Sequence, residues 1–161
     1  NTIAVHCYND PPYGGGGWYS GPVGLYSQAA YNKWQGLPSD IPEESVQQAV
    51  TEAVEKQLEY LTAGDFDSYA DTVDINYFSN GTTKDAVIQE MRDTYPEGTI
   101  QSLTDSGIAI YQTTDDSGET LYLYSAVRRI VKTDGTAEEI SVQETYRNTA
   151  DGILMCAFQI F

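Results

Sequence analysis

Near residue 100 the hydrophobic period of this chain changes from helical to two, and it stays at two to the end of the 161 residues. Candidate strands cover 100–113, 120–133, 137–148 and 153–161, separated by Asp115–Gly118, Asp134-Gly135 and Asp151-Gly152. Asp-Gly between two alternating runs signals a hairpin, because both residues tolerate positive φ. Consecutive hairpins make an antiparallel meander.

The preceding stretch reads as helices. Ser39-Asp-Ile-Pro-Glu-Glu44 is a helix start. Asp40 or Ser39 can cap, Pro42 suits the first turn, and two glutamates meet the positive helix end. Val46, Val50, Val54, Leu58 and Leu61 then recur at helical spacing, and Gly64 stops the run. Asp65 caps a short helix carrying Phe66, Tyr69 and Val73. Ile75–Phe78 reads as a short strand leading to an Asn80-Gly81 turn. Residues 83–95 read as a third helix with Ala86, Val87, Ile88 and Met91 inward. Helices first and strands later make the class α+β. The hydrophobic fraction of 40% supports one core over this length.

Residues 1–41 differ from the rest. Thr2–Tyr8 alternates as a strand does, and Gln28–Trp34 suits a helical turn. Between them, prolines and Gly14–Gly17 deny any regular period. The aromatic residues there favour an arm lying on the domain surface. Gly14–Gly17 is no phosphate loop, since no Lys-Ser/Thr follows it.

The order of long helix, short helix, short strand, helix and four long strands resembles the nuclear-transport-factor-like superfamily, also called the cystatin-like cone, over residues 42–161. The run Leu61-Thr-Ala-Gly-Asp-Phe-Asp-Ser-Tyr-Ala-Asp71 looks like its step from the long helix to a second short one. The resemblance implies a curved sheet rolled around the long helix, with a cone-shaped cavity between them. The superfamily includes steroid isomerases, dehydratases, polyketide cyclases, scaffolding domains and binding domains without chemistry, so fold does not deliver function. Its enzymes often use Asp–His or Tyr–Asp constellations. His6 is the only histidine of the chain, which removes the first. No spacing picks out a Tyr–Asp pair, so no catalytic residue is carried over. Many members dimerise, which makes a homodimer an expectation here.

On the strand over 120–133, Leu121, Leu123, Ser125, Val127, Arg129 and Val131 share one face. On that over 137–148, Ile140, Val142, Glu144 and Tyr146 do. Counting back from Asp134-Gly135 sets Arg129 opposite about Ile140. The functional reading is a pocket lined by Arg129, Glu144 and Tyr146, approached by Tyr60 and Tyr77, with a carboxylate whose pKa burial raises. The plainer reading puts Glu144 near a strand end or a bulge, where water reaches it. The opposite face, with Tyr122, Tyr124 and Ile130, is too apolar to stay wet. The arm, or a second subunit at a dimer interface, is expected to cover it.

A formal net charge of −16 repels phosphate backbones and anionic membranes, so nucleic acid is not an expected partner, and a cationic ligand is weakly favoured. No apolar stretch reaches the roughly 20 residues that span a bilayer. One histidine and no CxxC give no metal site, and no cofactor motif is present. Cys7 and Cys156 either form a disulfide, which implies an extracellular or cell-envelope location, or are unrelated thiols. The resulting expectation is an exported, non-catalytic domain binding a small molecule or a protein. The alternatives are an isomerase, dehydratase or cyclase with a Tyr/Asp/Glu pocket, and a structural oligomerisation module.

Overall fold

A computed structural model of the chain describes residue 38 and residues 40–115 and 117–160. The Thr2–Tyr8 strand, the Gln28–Trp34 turn, the aromatic arm and Cys7 lie outside the described residues.

Helix α1 (Glu44–Ala63) forms where the apolar spacing requires it and buries Val50, Val54, Leu58 and Leu61. Burial of such side chains stabilises by about 1.5–3 kcal/mol each. The helix ends at Gly64, φ 71°, in a pair of reverse hydrogen bonds: Asp65 N–H donates to Tyr60 O and Gly64 N–H to Leu61 O. Its start differs from the expectation. Glu43 occupies the cap position with no side-chain cap bond, and Pro42 precedes the helix. Asp40 is instead drawn to the sheet edge, where its carbonyl accepts from Gln112 N–H at 2.8 Å. Gln47 Nε2 donates to Pro42 O and closes this corner.

Helix α2 (Phe66–Asp71) is capped by Asp65, whose carboxylate accepts from Ser68 N–H. Strands β1 (Phe78–Ser79) and β2 (Thr82–Thr83) form a small hairpin, and α3 (Lys84–Thr94) follows. The strand expected over Ile75–Phe78 is a turn for most of its length. The Asp74 carboxylate accepts from Asn76 N–H, and Ile75 is left 80% exposed. Val87 and Met91 of α3 are buried, Ile88 is half-buried, and Ala86, expected inward, is exposed.

Strands β3 (Ile100–Thr114), β4 (Thr120–Lys132), β5 (Ala137–Thr149) and β6 (Gly152–Ile160) form one antiparallel sheet in that order. Register shifts between Ser106 and Ala109 of β3, and between Thr145 and Tyr146 of β5, bend the sheet around α1. The core lies between the concave face and the helices. Val50, Val54, Tyr124, Ile130, Tyr146 and Met155 are among its most enclosed side chains.

The β4–β5 hairpin decides which side chains enter that core. Lys132 N–H donates to Thr136 O, Gly135 N–H donates to Lys132 O, and only Gly135 in the turn has positive φ. The loop is therefore the three-residue Thr133-Asp134-Gly135, in which glycine takes the left-handed position. Asn80-Gly81 behaves otherwise: both residues have positive φ, 49° and 86°, and the loop is two residues. The third loop residue shifts β4 by one against β5. Arg128, not Arg129, stands opposite Ile140, and Arg129 stands opposite Glu139. A slip of one exchanges the two faces of a strand. The concave face of β4 is thus Tyr122, Tyr124, Ala126, Arg128 and Ile130, where the sequence reading put Leu121, Leu123 and Arg129.

Candidate functional site

Two places can carry function: the centre of the cone, and a cleft between α1 and the β3 edge.

At the centre, a guanidinium enters from β4. Arg128 Nε and Nη2 each donate to one oxygen of Asp105 on β3, both at 2.9 Å. Nη1 reaches Glu144 Oε1 on β5, also at 2.9 Å. The three side chains are only 3–5% exposed. Two parallel N–H···O bonds match the fork of arginine to a carboxylate. Tyr124 O–H donates to Asp105 Oδ2 at 2.9 Å. The Tyr146 hydroxyl can donate to Glu144 Oε2 at 2.6 Å or to Gln57 Oε1 at 2.7 Å. Gln57 Nε2 in turn donates to Thr72 Oγ1. The network ties α1 to three strands and leaves no oxygen of either carboxylate without a donor.

These contacts set the titration of the neighbours. Burial alone pulls the Arg128 guanidinium down, but Glu144 and Asp105 more than offset it, and its pKa lies above the ordinary value. Burial first, then the Glu144 carboxylate, push the Tyr69 and Tyr146 phenols well up. Burial and Asp105 do the same for Tyr124. The cationic and neutral forms that the network needs are the ones held.

The void that remains, bounded by Gln57, Leu61, Tyr69, Met91, Tyr95 and Phe158 among others, is about 10 Å³. That is about one water molecule. A general base needs a substrate proton within hydrogen-bond reach. Glu144 has no space in front of it for one.

The cleft is different. It is an open volume of about 650 Å³ between α1 and residues 101–108 of β3. Val54, Leu58, Leu103, Ile108 and Tyr124 supply its apolar wall, Asp105 lies at its base, and Glu55 and Glu59 stand along α1. The register shift at Ser106–Ala109, with Gly107 at φ 63°, turns Ile108 outward to 47% exposure.

The sequence-predicted residues fall as follows. Glu144 and Tyr146 meet at the cone centre beside the Thr145–Tyr146 register shift, so the irregularity of the plainer reading is present, but Glu144 is buried rather than open to solvent. Arg129 does not join them. It lies on the outer face, more than half exposed, 3.6 Å from Glu139. Tyr60 faces a separate groove, with Lys56 Nζ 5.7 Å from its ring centre. Tyr77 is buried beside Ser79, and burial pushes it up to about 12. Tyr124 and Ile130, expected at an interface, are each 1% exposed in the core, and Tyr122 packs against it. The slip at Asp134-Gly135 explains these corrections on β4. Cys156 is a buried free thiol, with Sγ 3.3 Å from Thr145 O beside the β5–β6 irregularity; burial pushes its pKa up. Sequence reasoning missed Asp105 and Arg128. Each interrupts an apolar strand face, but only once the phase is known.

Among the described residues, no group of three or more His, Cys, Asp or Glu side chains could hold a metal ion. No described helix is long and apolar enough to cross a membrane.

No protein-family model matches the sequence, and the search of curated proteins gives no match. Solved structures do match. An NTF2-like protein of unknown function from Pseudomonas putida KT2440 superposes with a TM-score of 0.60 at 9% identity, over 73% of this chain and 87% of that one. A protein of unknown function with a cystatin-like fold from Nostoc punctiforme gives 0.59 at 14% identity, over 75% and 92%. A protein from Catenulispora acidiphila in complex with S-DNPA gives 0.55 at 19%, over 73% and 93%. The chain has the NTF2-like, cystatin-like cone fold.

Proposed function

We propose that this domain is a non-catalytic binding module that takes a small molecule in the cleft between α1 and β3. The observation that carries the reading is the filled cone. Glu144 is engaged with Arg128 and Tyr146 beside a void of about 10 Å³, and both oxygens of Asp105 are taken up by Arg128 and Tyr124. The open volume lies one layer further out. Its roughly 650 Å³ falls within the range of small-molecule sites, and its wall is mostly apolar. The Catenulispora acidiphila structure in complex with S-DNPA supports the reading, as a case in which a protein of this fold holds a small molecule.

Titration of the isotope-labelled domain with 1-naphthalenemethanol, followed by amide NMR, tests the site. The expected result is saturable shifts at Leu58, Leu103 and Ile108, abolished in Ile108→Lys. Shifts confined to the groove beside Tyr60 would move the site elsewhere. A panel of isomerase, dehydratase and cyclase substrates should show no turnover. Turnover that disappears in Glu144→Gln would replace the binding module with an enzyme.

A further inference from the structure

Resting on the cleft as the binding site, we infer that its ligand is a cation: an apolar or aromatic body carrying a protonated amine.

Three observations carry this. The residues lining the cleft include three carboxylates, Glu55, Glu59 and Asp105, and no lysine or arginine. Glu55 and Glu59 are exposed, one helical turn apart, and neither has an ion-pair partner among the described residues. Like charges at that spacing repel, so a cation between them gains twice. The base of the cleft adds to the field. Asp105 and Glu144 share the single charge of Arg128, so this buried group of three carries a formal charge of −1 behind the apolar wall. Among the described residues no second basic side chain forms an ion pair with it. A charge behind a low-dielectric wall acts over a longer distance than one in water.

The apolar wall sets the other half of the ligand. Val54, Leu58, Leu103, Ile108 and Tyr124 form its apolar wall, and Thr51, Thr62, Gln101, Ser102 and Thr104 add neutral polar groups around it. The exposed Ile108 side chain and the acidic rim of Glu55 and Glu59 together suit an apolar amine better than a metal.

Three probes with one body and different charge test the inference: 1-naphthylmethylammonium, neutral 1-naphthalenemethanol and 1-naphthoate, titrated by calorimetry and amide NMR at low and at 0.5 M salt. The ammonium should bind about tenfold tighter than the neutral probe at low salt, and the anion weakest. The preference should shrink at high salt. In the double variant Glu55→Gln, Glu59→Gln the ammonium should fall to within about threefold of the neutral probe, while the neutral probe is unchanged. Glu139→Gln, on the outer sheet face, removes one charge without touching the cleft and should leave the preference intact. Neutral binding with no advantage for the ammonium, or an advantage that survives the double variant, overturns the charge inference and leaves the cleft standing. No binding of any probe overturns both. Thermal melts of the variants confirm that the exposed substitutions leave the fold in place.

Discussion

Arg128 is the residue on which the centre depends. Removing it strands two carboxylates that are 3–4% exposed. Breaking a buried pair in this way costs about 3–5 kcal/mol, because the remaining charge keeps its desolvation penalty. Arg128→Met should therefore unfold at much lower denaturant, with the midpoint read by circular dichroism. Arg129→Met should shift stability by no more than about 0.5 kcal/mol, since its partner Glu139 is exposed as well. The reverse order would mean that β4 presents its other face. A triple exchange of Arg128, Asp105 and Glu144 for apolar residues of similar size should regain much of the loss. The tyrosines predict the alkaline limit. Tyr69, Tyr77, Tyr124 and Tyr146 have raised pKa values in the fold, chiefly through burial. Their contribution is complete below the unfolded value near 10 and is lost as pH rises above it, for Tyr77 through about 12. Of the thirteen tyrosines, these four should accordingly give their phenolate absorbance only in a step that coincides with loss of the circular-dichroism signal. Full ionisation of all thirteen tyrosines in protein that is still folded would contradict this burial.

At the scale of elements, turns make the decisions. Gly64 ends α1 at φ 71°, and a Cβ there would lie 2.8 Å from Glu97 Cγ and 3.0 Å from Glu97 Cα. Gly118 has φ 87° but open space around it. Gly64→Ala should cost more than Gly118→Ala, about 2 against about 1 kcal/mol, because only the first adds a clash to the left-handed penalty. Paired thermal melts check the order, and equal costs would show that Glu97 moves aside freely. The strands, the end of α1 and the Asp65 cap were legible in the sequence because each depends on near neighbours. The start of α1 was not: Asp40, a good cap by type, pairs with Gln112, which is 72 positions away. Nor was the β4 register. Asp134-Gly135 and Asn80-Gly81 look alike in sequence, yet one closes a three-residue loop and the other a two-residue loop.

For the molecule as a whole, the net charge of −16 sets two effects of opposite sign. Self-repulsion destabilises the compact state, and salt screens it. Raising salt from 20 mM to 0.5 M should raise the melting temperature, while it weakens binding of the ammonium probe in the cleft. Calorimetric melts and titrations on the same samples separate the two. A melting temperature that falls with salt would mean that the ion pairs outweigh the repulsion. The division of space follows from the same fold. A roll of four strands around one helix leaves a central volume, and here Arg128, Glu144, Tyr146 and Tyr124 occupy it. Open volume lies outside the centre, at the seam where α1 meets the β3 edge and in the groove beside Tyr60.

By itself the sequence determined the α+β class, the helix-then-meander order, the hairpin positions and the inward face of β5. These follow from period, capping and turn chemistry, which act over a few residues. Strand β4 carries apolar residues on both faces, with Leu121, Leu123, Val127 and Val131 on one and Tyr122, Tyr124, Ala126 and Ile130 on the other. Period two cannot choose between them. Only the tertiary structure decided, because one added loop residue set the register, and that register brings Arg128 between Asp105 and Glu144. A buried charge needs its partner at hydrogen-bond distance, and that distance exists only after the sheet has closed around the helix.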